Sequence, residues 1–262
     1  MQVVILAGGT GTRLKEMTEF LPKPLIPIGG KPFIWHIMNI YSRYGHTDFI
    51  LSLGYKQEKF KAYFSHLDMF NSDITVYRNQ GGNPGIEYHD PFGPGWKITL
   101  ADTGLNTMKG ARLARIRKYI KDETFMVTYG DGVADINLNL LRECHETHGR
   151  IGTLTGIHPV SKFGEVMHHE GRVVSFQEKP YDTSSLTNGG FMMFTPEVFD
   201  YLSEDTDCDL EVGPLKILAE DHELSVYKHT GFWKNMDTLK DVGELQDLWD
   251  SGEAPWMMGG NV

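Results

Sequence analysis

Residues 3–32 read VVILAGGTGTRLKEMTEFLPKPLIPIGGKP, and they predict the start of an α/β sheet. The run 3–7 is apolar and β-branched, which favours a buried strand, and it is far too short to span a membrane. Glycines follow at once, at positions 8, 9 and 11. Because glycine has no Cβ, such a turn at the carboxyl end of a strand lets backbone N–H groups converge on an anion. Arg13 and Lys23 add positive charge, so the stretch predicts a polyphosphate-binding loop.

Two better-known glycine motifs do not fit this loop. The dinucleotide fingerprint requires a third glycine where the chain has Leu14, and the P-loop requires Gly-Lys-Ser/Thr after Gly11. The alternative is an ordinary glycine-rich connection between a strand and a helix. Arg13 and the element Pro22-Lys23-Pro24 favour the phosphate-binding interpretation.

Composition excludes several classes of protein. The 262 residues carry a formal net charge of −10, which argues against a nucleic-acid-binding protein, since that class needs a basic face. An anionic substrate must then be held by local positive charge. Cys144 and Cys208 cannot form a disulfide framework, and we expect a reducing, cytoplasmic location. The N-terminus lacks a signal sequence and no apolar run reaches membrane length, so we expect no membrane association.

Apolar runs alternate with amphipathic segments along most of the chain. This alternation predicts right-handed crossovers and a Rossmann-like, mostly parallel sheet flanked by helices. The predicted strands are 3–7, 48–53, 74–77, 98–102, 125–129, 153–158, 189–194 and 224–228, with an inserted hairpin at 166–177. The predicted helices are 33–44, 57–65, 109–120, 138–147, 211–220 and 239–251.

The segment 79–96 is rich in glycine and proline, with aromatic residues between them. A loop of this length inside a compact domain is usually functional, disordered or packed in an oligomer, and aromatic residues argue against disorder. We favour a subunit contact or an active-site flap over a plain surface loop.

Gly130-Asp131-Gly132 directly follows the predicted strand 125–129. Such a triplet is commonplace in turns, but α/β sheets bind ligands at the carboxyl ends of their strands. A carboxylate in that position suits Mg²⁺ that bridges substrate phosphates, because Mg²⁺ is typically held by one or two carboxylates with phosphates and water. Asp131 is therefore a candidate metal ligand.

Three sequence elements together resemble the signature of the sugar-phosphate nucleotidylyltransferases: LAGGTGTRL at 6–14, PKP at 22–24 and IGGKP at 28–32. The resemblance implies a GT-A-like nucleotide-diphospho-sugar transferase fold in a single domain, 1–262. It implies a nucleotide-binding part at 1–135, and a sugar-phosphate-binding part with a helical C-terminus at 136–262. It also implies a homo-oligomer.

The segment WKITLADTG at 96–104, with Met108, Gly110 and Arg112-Leu113, resembles the cytidylyltransferase branch of that family. This resemblance implies transfer of CMP from CTP to glucose 1-phosphate, giving CDP-glucose and pyrophosphate for polysaccharide biosynthesis, with Mg²⁺ as cofactor. The same chemistry with another nucleotide or sugar 1-phosphate is an alternative. A catalytically silent regulator that binds nucleotide sugars is a second.

The resemblance also implies roles for individual residues. It implies nucleotide binding by Leu6, Ala7, Gly8, Gly9, Gly11, Thr12, Arg13, Lys23, Thr103, Arg112 and Gly130, of which Thr103 and Arg112 would form the base site. It implies catalytic roles for Arg13, Lys23 and Lys179, sugar-phosphate binding by Glu178, Lys179, Asn188, Gly189 and Gly190, and metal binding by Asp131 and Asp237. Without the resemblance, Glu178-Lys179 is a surface ion pair beside a turn proline, and Asp237 belongs to a helix cap with Thr238.

Overall fold

A computed structural model describes residues 1–78, 85–89, 95–158, 165–177 and 185–258. Its strands are β1 (Gln2–Leu6), β2 (Pro27–Ile28), β3 (Lys31–Pro32), β4 (Asp48–Leu53), β5 (Asp73–Tyr77), β6 (Gly85–His89), β7 (Lys97–Asp102), β8 (Phe125–Tyr129), β9 (Gly132–Ala134), β10 (Gly152–Ile157), β11 (Glu165–His169), β12 (Arg172–Gln177), β13 (Thr187–Asn188), β14 (Met192–Phe194), β15 (Leu224–His229) and β16 (Trp233–Asn235). Its α-helices are α1 (Lys15–Thr18), α2 (Phe33–Ser42), α3 (Gln57–Ser65), α4 (Leu67–Asn71), α5 (Lys109–Arg115), α6 (Leu138–His148), α7 (Pro214–Glu220), α8 (Leu239–Asp250) and α9 (Pro255–Met258). Short 3₁₀ helices cover Thr12–Leu14, Lys23–Leu25, Arg117–Tyr119 and Pro196–Tyr201.

A central sheet runs in the order β10-β14-β8-β1-β4-β7, and β13 and β15 also pair with β10. Strand β1 lies between β4 and β8 and is parallel to both. Strand β7 continues the parallel part beyond β4, whereas β14 is antiparallel to β8 and β10. The predicted Rossmann-like, mostly parallel sheet is confirmed. Because β1, β4, β7 and β8 are parallel, their carboxyl ends all lie at the same edge of the sheet.

The hydrophobic core lies on both faces of this sheet because successive residues of a strand point to opposite faces. Val3 and Ile5 of β1 pack in one cluster with α2, and Val4 packs in a second cluster with Leu113 of α5. Every residue of β1 is buried. A strand covered on both faces needs a continuous apolar run, which the sequence supplies.

Several predicted elements differ from the observed ones. The strand predicted at 74–77 lies outside the central sheet, because β5 pairs with β6 in a separate antiparallel hairpin. Strand β6 falls inside the segment predicted as a loop; residues 79–84 and 90–94 of that segment lie outside the described residues. The α-helix predicted at 109–120 ends at Arg115, before the 3₁₀ turn Arg117–Tyr119.

Two further boundaries were wrong for local reasons. The strand predicted at 189–194 begins only at Met192, because Gly190 and Phe191 both have positive φ, which breaks the extended conformation. The helix predicted at 211–220 begins at Pro214, whose fixed φ and missing N–H suit the first helical turn.

The inserted hairpin is confirmed as β11 and β12, whose strands pair antiparallel. Its two-residue turn, Glu170-Gly171, has positive φ at both positions, and this backbone twist matches that of the flanking strands. Among the helices of the described ranges, none is long and apolar enough to cross a bilayer.

Candidate active site

A cavity of about 470 Å³ opens at the carboxyl ends of β1 and β8. This edge of a parallel sheet is where α/β proteins bind ligands, because loops and helix N-termini meet there. Most of the predicted nucleotide-site residues line it, together with both predicted metal ligands. These lining residues are Leu6, Ala7, Gly8, Gly9, Gly11, Arg13, Lys23, Arg112, Gly130, Asp131 and Asp237.

The loop after β1 contains three glycines, and each of them has a different structural environment. Gly11 has a φ of 63°, a left-handed conformation that favours glycine, and the 3₁₀ turn Thr12–Leu14 follows it. A Cβ on Gly8 would lie 2.2 Å from the guanidinium of Arg112, so only glycine allows that approach. A Cβ on Gly9 would meet no heavy atom of the described residues within 4 Å, so this part of the loop faces open space.

Arg112 is the buried cation of one wall, with 3% of its surface exposed. Its guanidinium donates to Thr103 Oγ1 at 2.8 Å and to the carbonyl oxygens of Leu53, Gly104 and Gly8 at 3.0, 2.8 and 3.0 Å. These bonds tie the loops after β1, β4 and β7 together. Burial lowers the pKa of Arg112, with a smaller contribution from the neighbouring Arg115.

Thr103, the other predicted base-site residue, is buried beside Arg112 and does not line the cavity. Its hydroxyl donates to the carbonyl of Leu53 at 2.7 Å and accepts from Arg112. Thr12 also lies apart from the main cavity, on a neighbouring depression that Lys15 and Tyr55 share. The base-site assignment stays a prediction, and the observed contacts of both Thr103 and Arg112 are with the protein.

The opposite wall is a cluster of paired charges. Lys23 Nζ contacts Asp131 Oδ2 at 2.7 Å and Asp237 Oδ1 at 2.6 Å, and Arg13 Nη1 contacts Asp237 Oδ2 at 2.9 Å. The Lys23 side chain is 11% exposed and that of Arg13 is 77% exposed. Burial opposes ionisation of Asp237, but the hydrogen bond and charge of Lys23, aided by Arg13, outweigh it and hold the pKa of Asp237 below its ordinary value.

Two short strands bring these aspartates together. Asp131 lies between β8 and β9, and Asp237 follows β16, which pairs antiparallel with β9. The N–H of Met236 also donates to the carbonyl of Asp131 at 2.9 Å. Asn235 lines the cavity and donates to Asp237 Oδ2 at 2.6 Å. The sequence alone did not point to Asn235, although its position two residues before Asp237 is a signal that could have done so.

The donor set of this wall fits a hard divalent cation. Two carboxylates from different parts of the chain converge on one ammonium group, so a single cation can contact both. Mg²⁺ prefers oxygen ligands and usually combines one or two carboxylates with substrate phosphates and water. The described residues contain no group of three or more His, Cys, Asp and Glu side chains that could hold a metal by themselves. Asp131 and Asp237 are therefore the residues that could hold Mg²⁺ in the presence of a phosphate ligand.

A third set of cavity residues was missed by sequence reasoning. Glu211 Oε1 accepts from Lys109 Nζ at 2.6 Å and from the hydroxyl of Tyr129 at 2.7 Å. Burial raises the pKa of Tyr129, and the neighbouring Glu211 raises it further, so this hydroxyl stays protonated. Tyr129 could have been found from its place at the end of β8, but Glu211 and Lys109 carry no local signal.

The predicted sugar-phosphate residues lie beside Tyr129. Asn188 Nδ2 donates to the hydroxyl of Tyr129 at 3.0 Å, and Asn188 Oδ1 accepts from the N–H of Gly190 at 3.0 Å. The carbonyl of Gly189 accepts from Trp233 Nε1 at 2.7 Å. Glu178 and Lys179 lie outside the described residues. Asn188 thus connects the predicted sugar side to the cavity wall through Tyr129.

The chain matches the nucleotidyl transferase family over residues 2–254. It is 44% identical over 256 residues to the Bacillus subtilis protein named "Probable glucose-1-phosphate cytidylyltransferase", covering 98% of this chain and 99% of that protein. It is also 44% identical over 257 residues to the glucose-1-phosphate cytidylyltransferase of Salmonella typhimurium, covering 98% of each chain. A crystal structure of UDP-glucose pyrophosphorylase complexed with UDP-glucose shares the fold, with a TM-score of 0.67 and 15% identity over 96% of this chain and 98% of that chain. With a family match that spans nearly its whole length and two relatives at this identity, the chain belongs to the nucleotidyl transferase family of enzymes.

Proposed function

We propose that this enzyme transfers CMP from CTP to glucose 1-phosphate, giving CDP-glucose and pyrophosphate. The 44% identity to glucose-1-phosphate cytidylyltransferases supports the choice of substrates. The observation that carries the proposal is the convergence of Lys23, Asp131 and Asp237 beside the glycine loop, in one cavity at the carboxyl edge of the sheet.

The reaction needs positioning and charge stabilisation more than proton transfer. The phosphate of a sugar 1-phosphate is already anionic at neutral pH, so its attack on the α-phosphorus of CTP requires no general base. Arg13 and Lys23 bind and neutralise the triphosphate, and Lys179 aligns the attacking phosphate opposite the departing pyrophosphate. Asp131 and Asp237 would hold Mg²⁺, which would supply neutralisation of phosphate charge.

In this proposal, the base of CTP binds at the wall around Arg112. The guanidinium of Arg112 holds the carbonyl group of Gly104 at a fixed position, and that oxygen keeps a second lone pair for a further donor. Fixed carbonyl oxygens accept hydrogen bonds, and the amino group of cytosine is a donor, whereas uracil and thymine have an acceptor at the same ring position. We therefore assign the base site to this wall, with Arg112 and Thr103 supporting it.

A pyrophosphate-release assay tests the proposal with purified protein, Mg²⁺, each nucleoside triphosphate and several sugar 1-phosphates. We expect turnover with CTP and glucose 1-phosphate, and loss of turnover when EDTA removes the metal. Equal turnover with dTTP would contradict the cytidine assignment but leave the reaction class in place. No turnover with any pair of substrates would favour a silent nucleotide-sugar-binding regulator.

We also propose that the enzyme works as a homo-oligomer. The β5–β6 hairpin supports this, because Val76, Tyr77, Ile86 and Tyr88 are all exposed on a two-stranded sheet outside the central one. Exposed apolar patches of this kind often mark protein–protein contacts. Light scattering after size exclusion measures the mass of the particle, and a monomer at micromolar concentration would contradict this part of the proposal.

A further inference from the structure

The position of Asp237 depends on helix α8. Asp237 lies between β16 and the N-cap residue Thr238, whose side chain forms a capping box with Asp241. Asp241 Oδ2 also accepts from the N–H of Asp237 at 3.1 Å. The backbone of Asp237 is therefore fastened to the first turn of α8, and a displacement of the helix would move this carboxylate.

Helix α8 in turn packs on the turn between β2 and β3. The N–H of Gly29 donates to Gln246 Oε1 at 2.9 Å. The indole of Trp249 lies directly against Gly29, so that a Cβ at this position would be 2.1 Å from the ring. The same indole also meets the buried ring of His36, edge to face, with 5.0 Å between ring centroids. Trp249 contacts both groups, so a methyl group added at Gly29 must displace the indole, and with it α8, or the turn itself.

The same turn is connected to Lys23 through a short stretch of backbone. Lys23 begins a 3₁₀ turn that leads through Ile26 into β2, and β2 ends at Ile28, immediately before Gly29. These contacts form a closed circuit. The backbone links Lys23 to Gly29, Gly29 packs against Trp249 of α8, and α8 fixes Asp237, which contacts Lys23 at 2.6 Å. A change in the depth at which α8 packs therefore alters the distance from Asp237 to Lys23 and Asp131.

We propose that Gly29 is a positioning residue for nucleotidyl transfer: its missing side chain lets Trp249 and Gln246 hold α8 where Asp237 meets Asp131 across one cation. This inference rests on the proposed function for its catalytic consequence. The effect of Gly29 on α8 and the two aspartates can be measured by metal binding, without an activity assay.

Gly30 supplies a matched control. Both glycines have positive φ, 58° for Gly29 and 73° for Gly30, so alanine carries a similar backbone strain at either position. A Cβ on Gly30 would meet no heavy atom of the described part of the chain within 4 Å. The pair Gly29→Ala and Gly30→Ala therefore separates the contact with Trp249 from the strain of the turn.

The experiment compares these variants with the parent enzyme by steady-state kinetics and by Mn²⁺ binding. We expect Gly29→Ala to lower kcat by about 100-fold, since a displacement on the order of 1 Å at the reacting groups has this effect, with a smaller change in KM for CTP. Gly30→Ala should keep kcat within about threefold of the parent value, because it leaves Trp249 in place. Electron paramagnetic resonance of free Mn²⁺, with CTP present, should show weaker metal binding in Gly29→Ala alone.

A second pair of variants covers the case in which Gly29→Ala does not fold. Gln246→Ala removes the acceptor of the Gly29 N–H, and Asp247→Ala changes an exposed neighbour on the same helix. We expect a smaller loss of kcat and of Mn²⁺ affinity for Gln246→Ala than for Gly29→Ala, and no loss for Asp247→Ala.

Equal losses in Gly29→Ala and Gly30→Ala, or parental kcat and Mn²⁺ affinity in Gly29→Ala, would overturn the inference. If the parent enzyme itself turns over no substrate pair, the proposed function fails. The Mn²⁺ measurements then decide the positioning claim by themselves.

Discussion

The two walls of the cavity each contain a buried cation, but the two cations have opposite kinds of partner. Lys23 contacts two carboxylates, and Arg13 pairs with one of them, so formal charges balance on that wall. The Arg112 guanidinium contacts neutral carbonyl groups and a hydroxyl, so its positive charge stays uncompensated by these contacts. The Arg112 wall therefore presents fixed neutral groups to a ligand, whereas the Lys23 wall can hold a cation and its phosphates.

We expect the largest effect from a substitution that removes the charge balance on the Lys23 wall. Asp131→Asn should lower kcat by about 100-fold or more, because it removes one of two carboxylates that converge on a single cation. The pyrophosphate-release assay measures this loss. Asp135→Asn, at the other end of the short strand β9, is the control, and an equal loss there would show that the effect is not specific to the cluster.

The next effect tests whether the Arg112 wall needs a guanidinium or only a positive charge. Arg112→Lys keeps the charge but cannot reach several acceptors at once, since an ammonium lacks the planar fork. We expect the free energy of unfolding to fall by about 2–4 kcal/mol, because buried carbonyl oxygens lose their donors. Urea denaturation measures this change. Arg117→Lys, an exposed position in the following 3₁₀ turn whose guanidinium lies over the Phe199 ring, should cost less than about 1 kcal/mol.

Measuring stability as a function of pH separates the charges of the two walls from the buried histidines elsewhere in the core. Three buried histidines, His36, His46 and His145, have their pKa lowered to about 4, chiefly by burial. Because these pKa values are lowered in the folded protein, the unfolded chain binds protons at a higher pH than the folded chain does. The contribution of these histidines to the free energy of unfolding is therefore full above pH 6.5 and is lost as the pH drops from 6.5 toward 4. Asp237 and Arg112 keep their charges throughout this range, because the pKa of Asp237 is lowered and arginine stays protonated.

His36 gives this pH prediction a specific test. Its Nε2 lies 2.9 Å from the carbonyl of Ile28, and its Nδ1 accepts from Trp256 Nε1 at 3.3 Å. These two contacts require a neutral ring with the proton on Nε2, and a second proton on Nδ1 would face the indole N–H. Thermal melting between pH 7 and pH 4 should therefore show a shallower pH dependence in Trp256→Phe, which removes that N–H, than in the parent protein. An unchanged slope would assign the acid sensitivity to the other histidines.

The smallest expected effects come from Lys109 and Glu211, the ion pair in the third set of cavity residues. Glu211→Gln removes a negative charge from the cavity and should lower KM for CTP a few-fold, whereas Lys109→Met should raise it by a similar factor. Each change corresponds to about 1 kcal/mol or less, since the pair is partly exposed and the attraction is screened by water. Opposite shifts support the electrostatic interpretation, and shifts in the same direction would indicate a loss of shape instead.

Local sequence patterns were sufficient for most strands of the central sheet and for half of the charge cluster. The apolar run of β1, the glycines after it and Asp131 after β8 lie within a few residues of the features that identify them. The position of Asp237 opposite Asp131 was inferred from a resemblance, since no local pattern relates residues so far apart in the chain. The β5–β6 hairpin was missed because strand pairing depends on distant partners rather than on the strand itself.

The sequence by itself determined the element order, the glycine loop and which residue types could bind a triphosphate, because strand periodicity and glycine's freedom are local properties. Only the tertiary structure decided how each charge is used. Arg112 is held by carbonyl groups and Lys23 by carboxylates because a buried charge without hydrogen-bond partners is costly, and the partner depends on which loops the fold brings together. The same is true of Gly29, whose importance comes from a tryptophan that reaches it from the far end of the chain.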